Sequence, residues 1–305
     1  MSSKKPLLIC VVGPTAIGKT SLSIELARAF STEIISADSR QFFKEMNIGT
    51  AVPSSEELLA APHHFIQHKS INEHYTVGEF EREALSKIAE LSKNQEIIIM
   101  VGGSGLYVDA VVEGLDHFPE IKEGIRETLN TELDELGIAP LQEELKKVDA
   151  TYYDSIDIEN PRRLIRALEV HRSSGAPYSS FLRKHETIRP FNTLYIGLTA
   201  ERPTVYDRIN RRVDIMMEEG LLDEAKRLLK HRALNALQTV GYRELFQYLE
   251  GNYTLDEAVS EIKKNTRRFA KRQGTWFRKN EDIRWFDYET NSEEIIAYIK
   301  AKNAL

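Results

Sequence analysis

The chain of 305 residues has one cysteine, Cys10, and two tryptophans. A single thiol excludes an internal disulfide framework and fits a reducing compartment. No apolar run approaches the ~20 residues needed to span a bilayer. The segment Met1 to Pro6 is too short and too polar for a secretory signal. There is no internal repeat and no low-complexity tract. Nor is there an overall excess of positive charge: the net charge is −6, which taken globally argues against a nucleic-acid binder. With 41% hydrophobic and 29% charged residues, the chain reads as a cytoplasmic globular protein of one large domain or two smaller ones.

What is present begins with Gly13-Pro14-Thr15-Ala16-Ile17-Gly18-Lys19-Thr20, a complete G-x-x-x-x-G-K-[ST] phosphate loop. An apolar run, Leu7 to Val12, leads into it. A helical pattern from Ser21 to Phe30 leads out, with Leu22, Leu26 and Ala29 at helical spacing. Strand, glycine-rich turn and helix aim backbone N–H groups and a helix N-terminus at phosphate oxygens. Lys19 is then placed to reach the terminal phosphates, and the Thr20 hydroxyl to bind Mg²⁺. The same loop serves nucleotide and ATP binding, so by itself it does not name the phosphate compound.

Further apolar runs at 33–37, 97–101, 193–198 and 283–286 read as buried strands. The first three strands alternate with helical patterns, which predicts a parallel α/β sheet. Their ends carry the phosphate loop, then Asp38-Ser39-Arg40-Gln41, then Gly102-Gly103-Ser104-Gly105. Parallel sheets bind ligands along that edge. From about Pro119 to Pro190 strand signals vanish and helical stretches dominate, such as 121–136 and 141–148. Asn160-Pro161 reads as an N-cap followed by proline at the first helical position. The expected layout is a P-loop NTPase-like core at 1–118 and 191–305, with an all-helical insertion at 119–190.

Asp38, at a strand end, suits a general base or a Mg²⁺ ligand, or else an Asx-turn aspartate. Ser104 suits an anion site or a helix N-cap. Arg208 and Arg212 share a face of a helix around 203–217 and, with Arg202 and Arg211, are candidate phosphate clamps; pairing with Asp207, Asp214 or Glu218 is the alternative. In the 262–278 helix, Ile262, Thr266, Phe269, Gln273 and Trp276 are expected to look inward. Lys264, Arg267 or Arg268, Lys271, Thr275 and Arg278 form a basic stripe. Between Lys263 and Arg284 nine cations face only Glu281 and Asp282, a local footprint for a phosphate backbone. Arg162 and Arg166 share a face on the insertion. His63, His64, His68 and His74 fit no metal-ligand spacing.

Taken together the motifs resemble those of the tRNA dimethylallyltransferases, also called tRNA isopentenyltransferases. The resemblance runs nearly end to end. Besides the phosphate loop it rests on 35–41, 46–51 (Met-Asn-Ile-Gly-Thr-Ala), Pro62-His63-His64, 101–107, Asn160-Pro161-Arg162-Arg163, 167–170, Val240-Gly241-Tyr242-Arg243-Glu244 and Ala270-Lys271-Arg272-Gln273. It implies transfer of a dimethylallyl group from dimethylallyl diphosphate to N6 of the adenosine just 3′ of the anticodon, with diphosphate leaving. Residues 13–20 would hold the diphosphate with Mg²⁺ on Thr20, and Asp38 would take the amine proton. Ser104 stands where the family more often has threonine and keeps its hydroxyl. Arg208 falls at a diphosphate-binding arginine, with Arg212 as the alternative. Contacts to the tRNA anticodon stem-loop would come from Asp38, Ser39, Arg40, Gln41, Ser104, Arg126, Arg162, Arg163, Arg166 and Lys271, with the protein acting as a monomer. An exocyclic amine is a weak nucleophile, so leaving-group stabilisation carries the reaction, and a stacked adenosine has to be flipped out. The rival readings are a small-molecule or nucleotide kinase and a nucleic-acid-dependent ATPase, both of which share the loop.

Overall fold

A computed structural model describes residues 5–182 and 187–303; residues 1–4, which hold most of the N-terminal segment read above, lie outside the described residues. The chain divides into two compact units, one formed by residues 1–113 with 189–305 and the other by residues 114–188.

The larger unit opens with β1 (Leu7–Val12), α1 (Lys19–Phe30), β2 (Ile34–Ser36), α2 (Ser55–Ala60) and β3 (His63–His64). It continues with α3 (Val77–Leu91), β4 (Ile97–Val101) and α4 (Gly105–Val112). The smaller unit holds α5 (Ile125–Leu136), α6 (Ala139–Val148), α7 (Ala150–Ser155) and α8 (Pro161–Ser174). The chain then returns through β5 (Asn192–Thr199), α9 (Arg202–Glu218), α10 (Leu221–Leu228), α11 (Tyr242–Leu249), α12 (Leu255–Phe277), β6 (Arg284–Asp287) and α13 (Ser292–Asn303).

The sheet is wholly parallel, in the order β3-β2-β4-β1-β5-β6. Every residue of β1 is buried, because helices cover both faces and a parallel strand so placed reads as an unbroken apolar run. Leu7, Ile9 and Val11 pack on one face with Leu22 and Leu26 of α1 and Ile295 and Ile299 of α13. Leu8, Cys10 and Val12 pack on the other with Phe80, Ala84 and Ile88 of α3 and Val108 and Val111 of α4. Burial pushes the Cys10 thiol far above its ordinary value, so it stays an inert core group. Of the residues at helical spacing, Leu22 and Leu26 are buried and Ala29 is exposed, while Ala27 lies in the core.

In the smaller unit, α5, α6 and α8 bury Leu129, Leu141, Leu145, Leu164 and Leu168 in a core of their own. Helix α8 starts as its sequence indicates: the Asn160 side chain accepts from the Arg162 N–H at 3.2 Å, Pro161 opens the first turn, and Gly175 ends the helix with φ 77°. The helix expected from residue 121 starts instead at Ile125, because Gly124, at φ 82°, breaks the preceding backbone. Among the described residues no helix is long and apolar enough to cross a membrane.

Candidate active site

The phosphate loop connects β1 to α1. Gly13 has φ 142°, and a Cβ there would stand 2.5 Å from the Leu198 carbonyl oxygen of β5, so no larger residue fits. Gly18 sits at the N-cap of α1 and supplies no side-chain cap, which leaves the first-turn N–H groups for a ligand. The loop faces a cleft of about 970 Å³ that also receives Asp38, Gln41, Gly102, Gly103, Arg208, Arg212 and Gln273.

Three cations converge on this loop. Lys19 Nζ donates to the Pro14 carbonyl at 2.7 Å, Arg208 Nε donates to the Ala16 carbonyl at 2.7 Å, and Arg212 Nη1 donates to Thr15 Oγ1 at 3.4 Å. Arg208 also lies over the Tyr288 ring, 5.0 Å from its centroid. Burial, then the Arg212 charge, pull Lys19 down to about 7, against the opposing pull of Asp38. Desolvation likewise lowers Arg212, and Arg208 adds to the effect. A site that desolvates its own cations is poised for an anion of high charge. Of the four arginines read as clamps, Arg208 and Arg212 both reach the loop. Arg211 pairs with Asp207 at 2.5 Å, and Arg202 is exposed.

The loop after β2 carries Asp38. Its Oδ1 accepts from the N–H groups of Arg40 at 2.8 Å and Gln41 at 3.2 Å, so it does form an Asx turn. It lines the cleft as well, so the turn positions the carboxylate without removing it from the site. Ser104 occupies the N-cap position of α4 but makes no cap; its hydroxyl accepts from the Ser39 N–H at 3.1 Å and ties the loops after β2 and β4 together.

Support for this wall comes from a residue that sequence reasoning missed. Glu224 of α10, 2% exposed, accepts from the N–H groups of Asn47 (3.1 Å), Ile48 (3.0 Å) and Gly49 (2.9 Å), and from the Tyr242 hydroxyl at 2.6 Å. A Cβ on Gly49 would strike the Tyr242 ring at 2.5 Å. The turn so held presents the Thr50 and Ala51 carbonyls to Gln41 Nε2, at 3.2 and 2.8 Å, and Gln41 follows directly on the Asp38 turn. The motifs at 46–51 and 240–244 are thus two halves of one support. No local signal reveals this, because the partners lie about 175 residues apart.

Helix α12 departs from expectation in its phase. Its buried set is Ala258, Ile262, Ala270, Gln273 and Phe277, whereas Phe269 and Trp276 are 38% and 44% exposed. The helix begins at Leu255 on a Thr254–Glu257 capping box, and its buried face is centred between Ile262 and Ala270, which leaves both aromatics on the margin. Trp276 Nε1 donates to Asp109 Oδ2 at 2.7 Å. The basic stripe is partly neutralised, since Lys263 pairs with Asp214 at 2.5 Å and Lys264 with Glu261 at 2.6 Å. Lys271 and Arg272 are exposed, and the Lys271 ammonium has no partner among the described residues.

On the smaller unit, the carboxylate of buried Glu169 takes both Nε (2.6 Å) and Nη2 (2.7 Å) of Arg126, and Nη1 of Arg166 at 2.6 Å. Burial raises the Glu169 carboxyl, but these hydrogen bonds and charges outweigh it and hold the group below the usual range. Arg166 also lies over the Phe118 ring, 4.9 Å from its centroid. Arg162 and Arg163 are exposed in the first turn of α8.

Of His63, His64, His68 and His74, the first two have a hydrogen-bonded ring nitrogen, while both ring nitrogens of His68 and Nε2 of His63 are buried without one among the described residues. His64 Nε2 meets Glu33 at 2.5 Å across β2 and β3, and His63 Nδ1 meets the Ala61 carbonyl at 2.8 Å. Among the described residues no group of three or more His, Cys, Asp or Glu could hold a metal ion. Oxygen donors at the cleft, the Thr20 hydroxyl and the Asp38 carboxylate, suit a hard cation that brings most of its ligands as water and phosphate oxygens.

The sequence profile of the IPP transferase family matches residues 41–280. A tRNA dimethylallyltransferase of Flavobacterium johnsoniae is 59% identical over 298 residues, covering 96% of each chain. One from Christiangramia forsetii is 57% identical and covers 97% of this chain and 98% of its own. The crystal structure of a full-length tRNA isopentenylpyrophosphate transferase from Bacillus halodurans superposes with a TM-score of 0.73 at 40% identity, covering 98% of this chain and 96% of that one. A eukaryotic dimethylallyltransferase acting on tRNA superposes with a TM-score of 0.85 at 25% identity, covering 98% of this chain and 80% of that one. The chain belongs to the IPP transferase family, the tRNA dimethylallyltransferases.

Proposed function

We propose that this cleft transfers a dimethylallyl group from dimethylallyl diphosphate to N6 of the adenosine 3′-adjacent to the anticodon in tRNA. The observation that carries the reading is the meeting of two chemistries in one cleft. Lys19, Arg208, Arg212 and the phosphate loop form a diphosphate cradle, and the Asp38 carboxylate lies on its wall, held by the N–H groups of Arg40 and Gln41.

In the reaction the N6 lone pair forms a bond to C1 of the dimethylallyl group as the C1–O bond to diphosphate breaks. The electron pair leaves with the diphosphate, and the N6 proton passes to Asp38. Lys19 and the two arginines place positive charge where the leaving group gains negative charge. Thr20 would hold Mg²⁺, which supplies further charge neutralisation when bound. Exposed Arg162, Arg163 and Lys271 suit tRNA phosphates. Arg126 and Arg166 act through the shared Glu169, which fixes their geometry and cancels part of their charge.

Thermal shift separates this reading from a kinase. Dimethylallyl diphosphate or inorganic diphosphate with Mg²⁺ at ~100 times its dissociation constant should add about 2.7 kcal/mol of stability. Strong stabilisation by ATP instead, with phosphate passed to a small acceptor, would establish the kinase.

A further inference from the structure

Gln273 is the polar member of the buried face of α12, and it is 7% exposed. Its Oε1 accepts from the Thr15 N–H at 2.9 Å, and its Nε2 donates to the Gly103 carbonyl at 2.8 Å. One carboxamide therefore joins the phosphate loop to the glycine loop after β4. A carboxamide is the uncharged group that offers an acceptor and a donor side by side. Lys19 belongs to the same neighbourhood: its Nζ would stand 3.7 Å from a Cβ placed on Gly103.

We propose that Gln273 is a positioning residue for the diphosphate, setting the spacing between the phosphate loop and the Gly103 loop so that the cradle is formed before the anion arrives. The proposal rests on the transfer reaction set out above. Anion recognition by backbone N–H groups depends on their being aimed in advance, and small misplacements weaken it steeply. Both peptides that Gln273 holds lie at the cleft wall, where a buried polar group without a partner is costly. Its neighbours Lys271 and Arg272 point to solvent, so one helix carries both the outer charges and the inner clasp.

The test compares wild type, Gln273→Met and Gln273→Glu. Binding of inorganic diphosphate with Mg²⁺ is measured by calorimetry, alongside steady-state kinetics with dimethylallyl diphosphate and tRNA. Gln273→Met keeps the length and removes both hydrogen bonds. It should weaken diphosphate binding about tenfold, equivalent to about 1.4 kcal/mol, and raise KM for dimethylallyl diphosphate in proportion. The KM for tRNA should move by less than about twofold, a difference too small to reflect a lost charged contact. Gln273→Glu keeps an acceptor for Thr15 but, when ionised, has no donor for Gly103 and sets a negative charge near Lys19. It should bind diphosphate more weakly than Gln273→Met at pH 8. Its deficit relative to wild type should shrink as the pH is lowered and the carboxyl regains a proton to donate. If Gln273→Met does not fold, the pH dependence of Gln273→Glu decides alone. Unchanged diphosphate affinity and no pH-dependent deficit, with only a lower Tm, would overturn the proposal and leave Gln273 a structural residue. Failure of wild type itself to bind diphosphate or transfer the prenyl group would instead overturn the functional reading.

Discussion

Lys19 and Asp38 show how the site balances stability against function. Lys19 is desolvated beside Arg212 and sits at about 7, so its ammonium is stabilised less in the folded chain than in water. The sign follows from linkage. Below about pH 7 the lysine is charged in both states, and folding bears the full desolvation cost. As pH rises from the folded value toward the ordinary one, only the unfolded chain holds the proton, and the cost fades. Lys19→Met should therefore raise the Tm of the free protein most at or below pH 7, by an amount that shrinks at higher pH, while abolishing diphosphate binding. A Tm difference that is flat or grows from pH 6 to 9 would contradict this origin. Asp38→Asn keeps the shape of the Asx turn and removes the proton acceptor. It should lower the single-turnover rate by roughly 10²–10⁴-fold and change tRNA binding far less. Turnover near the wild-type rate would make Asp38 a turn residue only.

Among the elements, α12 is the one whose surface charge asks for a partner. Phosphate contacts release counterions, so affinity for tRNA should fall with salt, and Lys271→Ala should flatten the log K against log salt slope by about 0.7–0.9 if that lysine neutralises one phosphate. Arg166→Ala on α8 should behave differently, because it leaves the Glu169 carboxylate with Arg126 as its remaining partner. Salt titrations of both variants check this; identical, unshifted slopes would mean that both cations are merely solvated. The elements also show what could be read from the sequence. β1, the phosphate loop and α8 carry their own local signals: an unbroken apolar run, paired glycines, and Asn-Pro with a distal Gly. The two-residue β3 carries none, since its place comes from pairing to β2 and from the Glu33–His64 contact. The marginal place of Phe269 and Trp276 was hidden because Ile262 and Gln273 fix only one line of the inward face, and which side of that line is covered depends on tertiary neighbours. Glu224 and Gln273 were silent as supports, because the loops they hold lie far away in sequence.

At the scale of the molecule, an acidic chain handles an anionic ligand by concentrating its cations rather than by net charge. Lys19, Arg208 and Arg212 each donate to an oxygen of the phosphate loop, Arg126 and Arg166 of the smaller unit share the buried Glu169 carboxylate, and Lys271 and Arg272 stand exposed. The central claim is that the diphosphate cradle and the Asp38 carboxylate together move a dimethylallyl group onto one tRNA adenosine. Mass spectrometry of nucleosides tests it most directly, after unmodified tRNA is incubated with the protein, Mg²⁺ and dimethylallyl diphosphate. The account predicts N6-dimethylallyl-adenosine at the position 3′ of the anticodon, formed with release of diphosphate and without ATP. An unmodified adenosine there, together with ATP-dependent phosphate transfer by the same preparation, would contradict it.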